Sequence, residues 1–523
     1  MAANQQTPQL AILDYLNAAD RDPAERSIYR AIGVEPIINC RGTFTIIGGS
    51  VERPEVLAAY KEASRHFVQY DELAEGVGRR LAELTGAEWG LVSDGCAAGL
   101  KHITAACVTG GNPEKLIRIP DLTGFEKTQV IIPRYARNAY DHALRNIGVE
   151  LVTVQTPEEM AAAINSRTAL VYLVAGRGTA AGQPLSLEAI VKIARPAGVP
   201  VVVDAAAEDL TVPCVHLEAG ADVVVYSGGK ALCGPQGAGL VLGRKDILQA
   251  AWQASSPHHG PNRDNKVGRE EILGMLAAVE AWLVRDHPAE WQGWLDRLDA
   301  IGQAARQVPG VETAVEQPAG LSNHSPTLVI SWDPARLHIT GEQVAEDFAR
   351  KKPRIAVGNG DAEGRAAIRI TPSQMQPGEA EVVAERVHSI LSQSRSPQPA
   401  QLTPAGVDLS GHWALTVEYF TSTSQHRLYL QQAGNWVSGT HHSEFSQQEI
   451  AGTVEGAQVK LRSRISQPGD NILFLFSGQA DGDTFAGTLF LGEYLTARFS
   501  ASRISYPAST HPVTIPGGPP LAT

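Results

Sequence analysis

The chain has 523 residues, 43% of them hydrophobic, and a formal net charge of −12. That length exceeds a single hydrophobic core and predicts two or three domains, while the acidic balance opposes attraction to phosphate backbones and sets aside a nucleic-acid partner. The first residues lack the basic and apolar regions of a signal peptide, no apolar run is long enough to span a bilayer, and the five cysteines (Cys40, Cys96, Cys107, Cys214 and Cys233) show no paired C-x-x-C spacing. Neither a membrane partner, a disulfide framework nor a zinc site is expected, and the expected compartment is the cytoplasm.

Residues 1–35 read as an N-terminal arm. From Thr7, the apolar positions Leu10, Leu13 and Leu16 follow a helical pattern until Asp22-Pro23 interrupts it. Pro36–Cys40 reads as a strand leading into Arg41-Gly42-Thr43. Pro54 to Thr85 is helical, with Val56, Leu57 and Tyr60, then Leu73, Val77, Leu81 and Leu84, at three- and four-residue spacing, and Gly86 closes it. Trp89–Val92 is a short strand, after which Ser93-Asp94-Gly95-Cys96-Ala97-Ala98-Gly99 opens a helix. Small residues at such a turn let backbone N–H groups approach a phosphate, which the positive helix end stabilises. Strands follow at Val130–Pro133, Leu151–Val154 and Leu170–Val174. Val201–Val203 then ends at Asp204, and Val223–Val225 ends at Tyr226, Ser227 and, after two glycines, Lys230. Runs this apolar, alternating with helical stretches, read as neighbouring strands buried on both faces of a mostly parallel, doubly wound α/β sheet.

The last two strands each deliver a charged side chain at the carboxyl end, where open α/β sheets bind ligands. Either residue alone is an ordinary solvated strand end. Together they suit pyridoxal 5'-phosphate, the lysine forming the Schiff base and the aspartate keeping the pyridine nitrogen protonated. The pairing of Ser227-Gly228-Gly229-Lys230 with Gly234-Pro235-Gln236-Gly237 resembles fold-type I pyridoxal-phosphate enzymes, in the branch containing selenocysteine synthase and D-glucosaminate-6-phosphate ammonia-lyase, with agreement from about Ile28 to Leu391.

The resemblance implies an aspartate aminotransferase-like, PLP-binding large domain over 36–290 and a smaller α/β domain over 291–395. It places Asp204 and Lys230 as catalytic and cofactor-binding residues, Gly95, Cys96 and Ala97 as backbone donors to the cofactor phosphate, and Ser227 and Arg137 among the other cofactor-binding residues. Asp94 departs from that cup, because a carboxylate beside a phosphate is repelled unless it points away or meets a cation. The resemblance also implies a ring-stacking residue after Val130–Pro133. This chain has Ala136 where relatives carry histidine, which leaves Tyr135, Arg137 and Tyr140 as candidates, while His142 reads as a helix-surface residue. Arg41 lies at the implied entry to the active-site floor.

Beyond Arg244 and a helix, the polar loop Ser255–Gly268 precedes a second helix with Ile272, Met275, Leu276, Val279, Trp282 and Leu283 on one face. In the implied fold this loop reaches the neighbouring subunit's cofactor phosphate through Lys266, so a homodimer or higher homo-oligomer is expected; a solvated lysine is the alternative. His258 and His259 have no nearby carboxylate pair and read as exposed rather than metal-binding. The smaller domain alternates Thr327–Trp332, Gly341–Lys351, Ala366–Ile370 and Glu379–Leu391 as strand, helix, strand and helix. Within it Arg369 matches the position that forks onto a substrate carboxylate, and Arg365, on the same face of an extended chain, competes for that role.

Residues 396–408, with Pro397, Pro399 and Pro404, are a linker by composition. In 409–505, eight short strands are expected: Trp413–Tyr419, Arg427–Gln432, Trp436–Thr440, Glu449–Val454, Gln458–Arg462, Ile472–Gly478, Thr484–Phe490 and Thr496–Ala501. They predict an antiparallel β barrel or sandwich resembling lipocalin-like modules. Residues 506–523 read as a loose tail. The expected activity is that of a PLP-dependent lyase. It would remove the α-proton of a small-molecule amino acid or amino sugar acid and, by β-elimination, release ammonia and a 2-keto acid. An aminotransferase needs the same residues and is the second reading; a non-catalytic binding protein on the same scaffold is the third.

Overall fold

The computed structural model describes residues 11–17, 27–397 and 402–505. Parts of the N-terminal arm and of the 396–408 segment, and the tail 506–523, lie outside the described residues. The chain divides into two compact units, Met1–Pro397 and Gln398–Thr523. Among the described residues no helix is long and apolar enough to cross a membrane.

The strands of the first unit are, in chain order, β1 (Ile37–Cys40), β2 (Trp89–Ser93), β3 (Gln129–Pro133), β4 (Glu150–Val154), β5 (Thr168–Val174), β6 (Val201–Asp204), β7 (Val223–Ser227), β8 (Gly239–Gly243), β9 (Val311–Glu316), β10 (Thr327–Trp332), β11 (Arg354–Ala362) and β12 (Arg365–Ile370). Seven form one sheet in the order β2-β8-β7-β6-β5-β3-β4. Its centre is parallel, with Leu173 opposite Val203 and Val203 opposite Val224. Successive side chains of β6 and β7 enter different apolar clusters, Val201, Val203 and Val224 on one face and Val202, Val223 and Val225 on the other, which is why these runs carry no polar alternation. β8 runs antiparallel to both β7 and β2, because the connection from β7 is too short for the helical crossover that a parallel return requires.

The stretch from Pro54 to Thr85 is two helices, Pro54–Ala63 and Tyr70–Thr85, rather than one. Between them Phe67 is 97% exposed, so no buried face carries the helix across. The second helix restarts where the Gln69 side chain accepts the Glu72 N–H at 2.7 Å. The smaller sheet has the order β1-β11-β12-β10-β9. β1, read with the larger domain from sequence, pairs in parallel along β11 from Ile37 opposite Arg354 to Cys40 opposite Val357. It therefore carries Arg41 from the smaller sheet towards Lys230.

The second unit is a closed barrel of eight antiparallel strands: β13 (Gly411–Glu418), β14 (Thr423–Ala433), β15 (Trp436–His442), β16 (Gln447–Glu455), β17 (Gln458–Gln467), β18 (Asp470–Asp481), β19 (Thr484–Phe490) and β20 (Thr496–Ile504). Each pairs with the next, and β20 closes on β13, which removes the edges a sandwich would leave. Alternate residues point inward. Trp413, fully buried, stacks edge-on against Phe485 at 5.0 Å, and its Nε1 donates to the Leu409 carbonyl at 2.8 Å. Trp413→Ala is expected to destabilise the barrel by about 3–5 kcal/mol. Hydrogen exchange on the full chain should show faster opening of β13–β20 amides, with those of β5–β7 unchanged.

Candidate active site

Asp204 closes β6, one strand from Tyr172 on β5 and beside Val225 on β7. Its backbone is anchored on one side, where its carbonyl accepts Ala175 N–H, and the next residue is anchored on the other, where Ala205 N–H donates to the Val225 carbonyl, both at 2.9 Å. The carboxylate is 5% exposed. It accepts the Tyr172 hydroxyl at 2.9 Å, the Ala206 N–H at 3.0 Å and the Cys96 thiol at 3.4 Å. Burial raises the Asp204 carboxyl above the usual range, and these donors, with the nearby positive charge of Lys230, offset part of the rise. The Cys96 thiol is pushed well above its ordinary value by burial and then by Asp204, so it serves as a protonated donor and not a nucleophile.

Lys230 is positioned by glycine packing. A Cβ on Gly228 would lie 2.6 Å from the Pro235 carbonyl oxygen and 2.9 Å from Met275 Sδ, and one on Gly229 would lie 2.7 Å from Gln236 Cα. Ser227-Gly228-Gly229 and Gly234-Pro235-Gln236 can thus be adjacent only because the side chains are missing. Gly228 N–H donates to Ala238 at 2.8 Å and Gly234 N–H to Gly228 at 2.9 Å. Ser50 N–H on Gly229 (3.0 Å) and Arg53 N–H on Cys233 (3.2 Å) lay the segment after Arg41 across this turn.

At the other side of Asp204, the helix Gly95–Thr109 begins without a side-chain cap, leaving the first-turn N–H groups of Gly95, Cys96 and Ala97 available to an anion. Gly95 turns the chain at φ 80°, and the backbone of Gly239 packs so closely that a Cβ there would lie 2.6 Å from the Gly95 oxygen. Asp94 hydrogen-bonds Asn265 instead of capping the helix; burial, then Glu271, raises its carboxyl above the ordinary range. A buried carboxylate, a lysine and an uncapped helix start form a donor set that fits pyridoxal phosphate, with Asp204 suited to the ring nitrogen, Lys230 to the aldehyde and Gly95–Ala97 to the phosphate.

Lys230 lines a cavity of about 670 Å³ together with Arg41, Tyr140, Asp209, Asn323, His324, Trp291 and Trp294, among others. Arg41 has a cation–π contact with Phe44 at 4.5 Å and no carboxylate partner among the described residues. Arg369 is not brought to this cavity. Its guanidinium pairs with Glu316 on β9, and Arg365 pairs with Glu312 in the same way at 3.1 Å, so the two arginines share a face, as their spacing predicts, but that face is an ion-pair ladder. Arg137 is likewise held elsewhere, by Asp141 and by Thr153 at 2.8 Å. Lys266 is exposed on its loop and does not line the cavity. Of the ring-covering candidates, Ala136 is buried in the core, the Tyr135 hydroxyl donates to the Leu185 carbonyl at 2.9 Å, and Tyr140 alone lines the cavity. Tyr172, Asp209, His324, Trp291 and Trp294 had not been singled out from sequence. Tyr172 offered a signal, a single hydroxyl in the otherwise apolar Leu170–Val174 run.

Comparison with known proteins agrees with this fold. An aminotransferase class-V family model matches residues 130–260. The chain is 30% identical over 300 residues to a D-glucosaminate-6-phosphate ammonia lyase of Salmonella typhimurium, covering 56% of this chain and 78% of that one. It is 28% identical over 392 residues to a 5'-C-glycyluridine monooxygenase-decarboxylase of a Streptomyces species, covering 72% and 96%. The solved structure of a D-glucosaminate-6-phosphate ammonia-lyase superposes with a TM-score of 0.62 at 26% identity, covering 70% of this chain and 98% of that one. The larger unit therefore has the fold of the pyridoxal phosphate-dependent fold-type I enzymes, and pyridoxal phosphate is its cofactor. Within that class, the chain belongs to the family of D-glucosaminate-6-phosphate ammonia lyase.

The raised pKa of Asp204 has a consequence for stability. The folded chain holds this proton more tightly than the unfolded chain. Its contribution is complete below the ordinary value of about 3.9 and is lost as pH rises through the folded value. Asp204→Asn removes this dependence. The coenzyme-free variant is expected to unfold at a higher temperature than the parent at pH 8, while its affinity for pyridoxal phosphate falls roughly tenfold to a hundredfold. Thermal melts and coenzyme titration check both.

Proposed function

We propose that the chain is a pyridoxal phosphate-dependent lyase that removes the α-proton of an amino acid or amino sugar acid and eliminates a β-hydroxyl, releasing ammonia and a 2-keto acid. The observation that carries this reading is the meeting, at one cavity, of Lys230 with Arg41, which has no carboxylate partner among the described residues, next to the buried Asp204. When bound, the cofactor supplies an electron sink conjugated to the substrate amine. Lys230 would hold it through its amine, and the same amine would take the proton from the substrate α-carbon. Asp204, with Tyr172 and Cys96 behind it, would hold a proton at the ring nitrogen, and Tyr140, on the cavity wall, would pack against the ring. Arg41, not Arg369, receives the substrate carboxylate as a planar fork. His324, whose Nδ1 lies 2.8 Å from Asp209, is placed on the cavity wall to hand a proton to the departing hydroxyl, which leaves as water; addition of water at the former amine carbon then frees ammonia, so no oxidant is consumed.

The chain is further proposed to work in the cytoplasm, in keeping with five cysteines that are all unpaired, and as a homodimer or larger homo-oligomer in which the exposed Lys266 reaches the cofactor phosphate of a second copy. A second reading, an oxygen-using decarboxylase, draws on the Streptomyces relative, 96% of whose length is matched against 78% of the lyase's. An aminotransferase, the runner-up from the sequence alone, follows it.

One assay separates them. Purified protein with a β-hydroxy amino acid, in the absence of oxygen and of any keto-acid acceptor, is expected to release ammonia and 2-keto acid in equal amounts, and Lys230→Ala should lower the rate on the order of 10²–10⁴-fold. Turnover that demands an acceptor supports the aminotransferase. Turnover that demands oxygen and yields carbon dioxide supports the decarboxylase.

A further inference from the structure

Just past Asp204, Glu208 and His216 form a buried pair that does not line the cavity. His216 Nε2 donates to Glu208 Oε2 at 2.6 Å, and the other carboxylate oxygen, Oε1, accepts the Ser322 hydroxyl at 3.5 Å. Glu208 thus stands between the short helix Val215–Glu218, which lies between β6 and β7 in the chain, and the loop from β9 to β10 of the smaller sheet. The backbones meet at the same point. Glu208 and Ser322 form an isolated antiparallel bridge, in which Asn323 N–H donates to the Ala207 carbonyl at 2.8 Å and Asp209 N–H to the Leu321 carbonyl at 3.1 Å. His324 Nδ1 lies 2.8 Å from Asp209. Among the described residues, the hydrogen bonds that leave Leu321–His324 all run to Ala207–Asp209.

The loop needs such an attachment. Its first residues, 317–320, are mostly exposed. Asn323 takes a left-handed turn at φ 47°, a conformation that costs an L-residue free energy and persists where surrounding contacts hold it. Asn323 and His324 both line the cavity, so the shape of this turn decides where two of its polar side chains sit. Stability alone does not account for the pair behind it. A buried carboxylate loses its hydration, and apolar side chains of like volume in place of a buried pair are often neutral or stabilising. What the hydrogen bonds add is register: they single out Ser322 on the loop. A slip of one residue in a bridge turns each side chain to the opposite face, which would take His324 away from Asp209 and from the cavity.

Building on the lyase reading, in which His324 serves the departing hydroxyl, we propose that Glu208, backed by His216, is a positioning residue that fixes the register of the loop Leu321–Ser325 and so holds Asn323 and His324 at the cavity. Hydrogen exchange and steady-state kinetics on the full-length, coenzyme-loaded protein test this. In the parent, amides of 321–325 should exchange more slowly than those of 317–320. The double variant Glu208→Leu/His216→Phe keeps the volume and loses the hydrogen bonds. Its 321–325 amides should exchange about tenfold faster, with β5–β7, the melting temperature and coenzyme affinity as in the parent. Its kcat should fall roughly tenfold to a hundredfold with little change in KM. Glu208→Gln, whose amide oxygen can accept from His216 and whose amide nitrogen can donate to Ser322, should restore both loop protection and kcat. Four results overturn the proposal: unprotected 321–325 amides in the parent, no faster loop exchange in the double variant, loosening shared equally by β5–β7, or an unchanged kcat beside a loosened loop. The first needs no variant and so holds even where the double variant fails to fold. Exchange is read without substrate. A parent that releases no ammonia therefore refutes the lyase reading, while the loop amides still decide whether Glu208 fixes the loop.

Discussion

A carboxylate buried at the end of a strand enclosed on both faces is among the least favourable placements in a folded chain, and Asp204 occupies that placement. The sheet makes it tolerable. Tyr172 on β5 and the Ala206 N–H each satisfy one carboxylate oxygen, and the Cys96 thiol, delivered by the helix that begins at Gly95, joins Ala206 on the second. Three separate segments are thus drawn to one acceptor, and the helix start at Gly95 is fixed beside it. The remaining deficit, expressed in the raised carboxyl pKa, is what a protonated ring nitrogen would relieve. Structure and cofactor chemistry therefore share one electrostatic cause.

The second constraint is steric. Lys230 lies on a turn that exists only because Gly228, Gly229, Gly234 and Gly239 lack side chains where backbones approach within contact distance. The short return from β7 to β8 that follows makes the sheet mixed at this edge and leaves room for the segment after β1 to cross the turn, with Ser50 and Arg53 bonded to it. Because β1 belongs to the smaller sheet, the position of Arg41 relative to Lys230 depends on how the two sheets of the first unit are joined. Substrate capture and cofactor anchoring are in that way linked through backbone contacts.

The centre of the seven-stranded sheet was legible because its short β-branched runs at Val201–Val203 and Val223–Val225 alternate with helical stretches and are buried on both faces, and the barrel because its short strands are punctuated by Gly, Asn and Asp turns. β9 and β11 were not legible: Val311–Glu316 is mostly exposed along its length, and Arg354–Ala362 contains Gly358, Asn359 and Gly360, so neither carries a strong strand signal. Missing β9 hid Glu312 and Glu316, and with them the ion pairs that occupy Arg365 and Arg369. Asp204 and Lys230 could be read as a pair because adjacent parallel strands bring similar positions together. The pairing of Trp291 with His324 on the cavity lining could not, since the two meet only after a helix and a distant loop pack against the same cavity.

The account rests on the amine of Lys230 being the group that bonds the coenzyme. Reduction of the coenzyme-loaded protein with borohydride, followed by mass spectrometry of its peptides, tests this directly. The account predicts a single pyridoxyl adduct on the peptide containing Lys230. An adduct on another lysine, such as Lys101 or Lys266, or no adduct with excess coenzyme present, would contradict it.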